Sequence, residues 1–215
     1  MDSFLLSIGL IFLGGVFPLF LWRRFVLMKV FAVLTVGSGC LLGLFDAGAK
    51  LFDYRISAIT FDYVNSFSLS LRIDSLSAFF LVAIFSVSLL AVVYSFHYMD
   101  NERKSLRTAA NYLFFSLLIA AMALVVTADN LITFLLCWEL MSLSSFFLVV
   151  YNYENEDNRK AGYLYFIFSH VGAMLIFSAF GILYAYTGSF EFEAAAAIPE
   201  TAKMLVFILA FIGFG

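Results

Sequence analysis

The 215-residue chain is 64% hydrophobic and 13% charged, with a mean hydropathy of +1.01. An ordinary globular domain is about 45–50% apolar and about 25% charged, so a soluble fold around one core is excluded. A net charge of -3 gives no sign of a nucleic-acid or acidic-substrate partner. The apolar runs are long and continuous, unlike the roughly ten-residue alternating segments of a membrane β-barrel.

Six such runs follow one another, at 4–22, 25–45, 75–98, 108–127, 130–151 and 161–187. Each is near the roughly 20 residues that a membrane helix needs. A seventh begins near residue 203 and is still apolar at Gly215. At 1.5 Å per residue it reaches about 20 Å, short of a bilayer core of about 30 Å. The expectation is an all-α polytopic membrane protein with six complete transmembrane helices and an incomplete seventh, and thus a fragment, or one half of a split protein. The first run lacks a basic leader and is followed by Arg23 and Arg24, so it reads as a retained span rather than a signal peptide. Between the second and third runs, the loop 46–74 ends in Phe67-Ser-Leu-Ser-Leu-Arg-Ile73, which alternates with period two. That predicts a short β-hairpin lying on the membrane surface. Asp74-Ser75 reads as the cap of the third span, and Asp129 as the opening of the fifth. A division into 1–107 (three helices and the loop) and 108–215 (four helices) follows.

Charge placement orients the chain. Arg23, Arg24, Lys29, Arg103, Lys104, Arg107, Arg159 and Lys160 fall on alternate short loops, and Lys50, Arg55, Arg72 and Lys203 on the others. The positive-inside rule then puts the first set in the cytoplasm and the N-terminus outside; the expected location is the cytoplasmic membrane of a prokaryote. Trp22, Tyr94, Tyr98, Tyr151 and Tyr163 sit where an interfacial aromatic belt is expected on the same side.

Of the acidic residues, Glu139 alone lies in the middle of a span. A charged side chain there costs about 2.5–3.5 kcal/mol on insertion scales, and intramembrane carboxyls usually line ion or proton paths. The alternative is a protonated carboxyl bonded to a neighbouring helix for structure. Ser142 lies one turn on, followed by Ser144 and Ser145; these hydroxyls suit either a polar path or close helix packing. Trp138 either shields the carboxyl or packs. His170 is deep in the sixth run, with Ser169 its immediate polar neighbour. An imidazole titrates near neutrality and both donates and accepts, which suits a relay, although core histidines are often structural. His97 is at a span end and too different in depth from His170 to share a haem. Cys40 and Cys137 lie in apolar runs and read as buried thiols. Lys203 reads as a snorkelling interfacial residue. Gly39 with Gly43, and Ser169 with Ala173, form small-xxx-small pairs that suggest helix contacts. No metal-ligand cluster, phosphate loop or nucleophile–base motif is present in the sequence, and no cofactor is expected.

The strings Asp74-Ser-Leu-Ser-Ala-Phe-Phe80, Tyr94-Ser-Phe-His-Tyr-Met99, Asn130-Leu-Ile-Thr-Phe-Leu-Leu-Cys-Trp-Glu-Leu-Met-Ser-Leu-Ser-Ser145 and the stretch 161–184 resemble the antiporter-like membrane subunits. That family serves respiratory complex I, membrane-bound hydrogenases and multisubunit cation/proton antiporters. The string Trp138 to Ser145 and Phe168-Ser-His-Val-Gly-Ala173 look most like the hydrogenase 4 and formate hydrogenlyase branch. The resemblance covers most of 70–215. It implies about fourteen helices in two inverted five-helix repeats, the first beginning with the span at 108–127. It maps the family's proton-path glutamate onto Glu139 and points to His170 as a relay. The glutamate's usual lysine follows a glycine-containing break in the seventh helix, which Gly213 and Gly215 resemble. Lys203 comes too early to match it. The implied role is a proton-translocating subunit of a redox-driven complex of hydrogenase or NADH dehydrogenase type. Its partners would be other membrane subunits and, indirectly, peripheral redox subunits, with no redox chemistry of its own. A subunit of a secondary cation/proton antiporter, and a non-conducting scaffold, are the alternatives.

Overall fold

In hydrocarbon every backbone polar group must be paired within the chain, and a helix does this segment by segment. The computed structural model describes residues 1–52, 56–64, 67–99 and 105–214. In it the apolar runs become helices α1 (Asp2–Phe20), α2 (Phe25–Phe52), α3 (Ser75–Tyr98), α4 (Ser105–Thr127), α5 (Leu131–Val149), α6 (Glu156–Thr187) and α7 (Glu200–Phe214). Two strands, β1 (Ser57–Val64) and β2 (Phe67–Ile73), stand between α2 and α3. Six of the helices are long and apolar enough to cross a membrane.

Helix α1 packs between α2 and α4, α2 also packs on α3, α4 on α5, and α6 on α7. The main core lies among α1 to α4, around Phe4, Ile11, Val36, Cys40, Phe85 and Ile119. The pair Gly39 and Gly43 explains the close approach of α1 and α2. A Cβ on Gly39 would stand 2.7 Å from Ile11 Cγ1, and one on Gly43 would stand 2.6 Å from Ser7 Oγ. The Ser7 hydroxyl donates to the Gly39 carbonyl at 2.8 Å. On α6 the tight approach falls at Gly172, one residue from the expected pair. A Cβ there would meet the Gly213 carbonyl oxygen of α7 at 2.7 Å.

Several sequence expectations shift. Helix α2 runs on to Phe52, so the loop 46–74 begins as helix; Asp46 and Lys50 pair across one turn at 2.7 Å and extend it. Helix α6 starts at Glu156, five residues before the apolar run, because Asn155 caps it by accepting from the Asp157 N–H at 2.8 Å. Gly213 lies inside α7, where it serves the contact with α6; Gly215 is outside the described residues. Lys29 is in α2 rather than a loop. It is buried, with its ammonium 5.0 Å from the Phe25 ring and 4.8 Å from that of Phe96. Arg55, Arg103 and Lys104 fall outside the described residues. Asp74 caps α3 as expected, accepting from the Ser77 N–H at 2.8 Å.

The hairpin is antiparallel, with Ser57 opposite Ile73 and Phe61 opposite Leu69, and has a bulge between Asp62 and Val64. It is clamped onto helix ends rather than merely lying flat. Leu71 and Ile73 enter the core, while Ser70 and Arg72 turn to the start of α5. That contact also moves the α5 cap. Asn130, not Asp129, accepts from the Thr133 N–H at 2.8 Å. Asp129 is engaged elsewhere: its N–H donates to the Ser70 carbonyl at 2.9 Å and its carboxylate meets Arg72 Nε at 3.2 Å.

Candidate functional site

Helix α5 starts at this hairpin end, and Glu139 is eight residues after Leu131, about 12 Å along the axis. Helix α6 runs the opposite way beside it. His170 comes fourteen residues after Glu156, about 21 Å from the other end. The two meet between the helices, with His170 Nε2 3.9 Å from Glu139 Oε2. Their side chains are 31% and 27% exposed, so the pair is partly buried between α5 and α6.

The histidine is oriented by its own helix. His170 Nδ1 is 3.0 Å from the Phe166 carbonyl oxygen. A carbonyl only accepts, so Nδ1 carries the hydrogen and Nε2 faces the carboxyl with a lone pair. The distance of 3.9 Å exceeds a direct hydrogen bond by about 1 Å, a gap of the size that one bridging water or a small side-chain rotation spans. The Phe166 ring lies 3.9 Å from that of His170 and 5.1 Å from that of Phe146, fixing the imidazole plane.

Among the described residues, neither Ser142 nor Ser169 bonds to the carboxyl. Ser142 is buried, Ser144 donates to the Leu140 carbonyl at 2.6 Å, and Ser145 donates to that of Ser142 at 2.9 Å. Both bonds stay within α5. The polar link between α5 and α6 that sequence reasoning missed is Ser145 with the Tyr165 hydroxyl. Its signal was a tyrosine near the start of the sixth run, five residues before His170. Trp138 packs: it stacks on Phe134 at 5.6 Å and meets Phe214 edge-on at 5.2 Å. Phe134 also touches Phe180 and Phe192, so an aromatic cluster fills the space from Glu139 toward the hairpin end. His97 is exposed at the end of α3, edge-on to Phe96, and Lys203 pairs with Glu200 at 2.9 Å. Cys40 and Cys137 are buried thiols in α2 and α5.

Beyond that cluster a cavity of about 250 Å³ opens, lined by Arg72, Asp74, Asp129, Glu191 and Glu193. Hydrogen bonding from the Ser77 N–H holds the Asp74 carboxyl below its ordinary range. Burial first, then the charges of Asp129 and Glu193, push the Glu191 carboxyl up.

The family profile described as NADH:quinone oxidoreductase/Mrp antiporter, TM, matches residues 128–215, a stretch that contains both Glu139 and His170. A second, the N-terminus of NADH-ubiquinone oxidoreductase (complex I) chain 5, matches 61–107. The chain belongs to the antiporter-like membrane subunits. It is thus an integral membrane protein. This antiporter-like chain is 37% identical to hydrogenase-4 component B of Escherichia coli (strain K12) over 68% of its own length and 22% of that protein. It therefore spans about a fifth of that relative. Its fold matches a chain in the membrane-bound sulfane sulfur reductase, an archaeal respiratory membrane complex. That match has a TM-score of 0.78 and 26% identity, covering 98% of this chain and 33% of the other. It also matches the fold of a chain in the Mrp complex from Dietzia sp. DQ12-45-1b, with a TM-score of 0.75, 15% identity and coverage of 98% and 23%.

Proposed function

We propose that this chain supplies part of the proton path in a proton-translocating subunit of a redox-driven membrane complex, of hydrogenase or NADH dehydrogenase type. The observation that carries the reading is the Glu139–His170 pair, with Nδ1 tied to Phe166 and Nε2 turned to the carboxyl. Such a pair holds one mobile proton. Small movements of either helix change which group holds it, because the carboxylate–imidazolium and the carboxyl–imidazole states differ in charge separation. Glu139 is the proton acceptor and His170 the relay, while redox chemistry belongs to peripheral partners and contact is made with other membrane subunits. The N-terminus is outside, in the cytoplasmic membrane of a prokaryote. Identity to a hydrogenase component favours this reading over a secondary antiporter.

The test is Glu139→Gln in the intact complex, with protons moved per electron as the readout. The expected result is loss of most or all of the pumping. Unchanged stoichiometry overturns the assignment.

A further inference from the structure

Three chain segments far apart in sequence meet at the start of α5. Ser70 of β2 turns both of its backbone groups away from β1: its N–H donates to Thr133 Oγ1 at 2.9 Å, and its carbonyl accepts from the Asp129 N–H at 2.9 Å. Asn130 works in two directions. Its Oδ1 accepts from the Thr133 N–H at 2.8 Å, and its Nδ2 donates to the Ser68 carbonyl at 2.9 Å. From the other side, the Leu131 N–H donates to the Phe190 carbonyl at 2.9 Å. Ser70, Asn130 and Thr133 are all buried. The first N–H groups of a helix have no partner within it and commonly turn to water or a cap. Here β2 and the segment after α6 take up this end of α5 with directional bonds.

We propose that this junction sets the depth and rotation of α5, which makes Thr133 and Asn130 positioning residues for the Glu139–His170 pair. Thr133 and Glu139 are six residues apart on one unbroken helix, about 9 Å of axis. Over that length a helix transmits rotation and sliding as a rod. Near Glu139 the directional restraint is weak: among the described residues its carboxyl has His170 as its ion-pair partner, at 3.9 Å, and no hydrogen bond. Six residues beyond Glu139, Ser145 meets the Tyr165 hydroxyl of α6, so the spacing of the pair is set between that link and the clamped end. A shift of about 1 Å in α5 separates a formed hydrogen bond from an absent one. This inference rests on the reading of Glu139 as a proton carrier.

Thr133→Val keeps the side-chain shape but removes the acceptor of the Ser70 N–H, and Thr133→Ser restores it. The intact complex is assayed for protons per electron and for the carboxyl C=O stretch of Glu139 by infrared difference spectroscopy. That band is identified by its absence in Glu139→Gln. Thr133→Val is expected to shift the band and lower the stoichiometry, and Thr133→Ser to return both toward wild type. Asn130→Ser keeps a cap acceptor but loses the bond to Ser68. It tests the same link, with a smaller shift, should the valine variant not assemble. An unshifted band and wild-type stoichiometry in the assembled variants overturn the positioning role. Normal pumping in Glu139→Gln overturns the proton-carrier reading instead, and the band shift in Thr133→Val still reports on positioning.

Discussion

The contact between Gly172 and Gly213 makes a sharp prediction about α6 and α7. A Cβ on residue 172 would stand 2.7 Å from the Gly213 carbonyl oxygen, whereas ordinary contact begins at 3.4 Å. The obstacle is backbone, so no side chain can rotate away, and the helices must part by roughly 0.7 Å to recover normal packing distances. Overpacking of this kind costs about 1–3 kcal/mol. The greater helix propensity of alanine offsets up to about 1 kcal/mol of that. Gly172→Ala should therefore destabilise the chain by up to about 2 kcal/mol. The control is Gly181→Ala on the same helix, where a Cβ meets nothing within 4 Å and stability should be unchanged or slightly higher. Displacement of α7 also moves Phe214 off the Trp138 indole, its neighbour at 5.2 Å. The chain has 2 tryptophans, so a Trp22→Phe background isolates Trp138 emission. Reversible unfolding in mixed micelles and the emission maximum of Trp138 are the measurements. Wild-type stability and unmoved emission in Gly172→Ala would show that α6 and α7 do not meet at this point.

Two more predictions concern polar groups. Among the described residues the buried Ser116 hydroxyl has no hydrogen-bond partner, and a buried unsatisfied group costs about 1–3 kcal/mol; Ser116→Ala should raise the unfolding midpoint, and a lowered one would count against that packing. At the hairpin end the two shifted carboxyls give stability opposite dependences on pH. Asp74 has a depressed folded value, so its cap contributes fully above its unfolded pKa of about 3.9 and is lost as pH falls through the folded one. Glu191 has a raised folded value, so its ionisation opposes folding as pH rises through that value, and stability increases on acidification down to about pH 4.3. Mild acidification should first stabilise and stronger acid then destabilise. Glu191→Gln should remove the first effect alone in a pH series of unfolding midpoints.

The spans were legible because hydrocarbon tolerates few alternatives to a continuous apolar helix. Their ends were less so, because water at the surface accepts helix or loop alike. Asp46 and Lys50 prolong α2 by a local ion pair, and Asn155 starts α6 early by a local cap, signals present in the sequence but overridden by the apolar-run criterion. The choice between Asp129 and Asn130 as the α5 cap was not local. Arg72 and Ser70, more than fifty residues earlier, draw Asp129 away. Depth in the membrane singled out Glu139 and His170 separately. Their facing one another depends on helix rotation, which no single run encodes. For the same reason Ser142 was adjacent in sequence yet not bonded to the carboxyl, while Tyr165 reached across to Ser145.

The joint at the start of α5 also bears on how the chain is made. Phe190 can reach Leu131 only after α6 has crossed back to the hairpin end; Gly188, at φ 64°, then ends that helix and turns the chain toward it. If α6 failed to cross, Phe190 would be stranded at the opposite end. The Leu131 N–H would then lack this acceptor at the edge of the hydrocarbon, where an unpaired backbone group costs several kcal/mol. The Leu131–Phe190 bond thus ties the start of α5 to the correct crossing of α6.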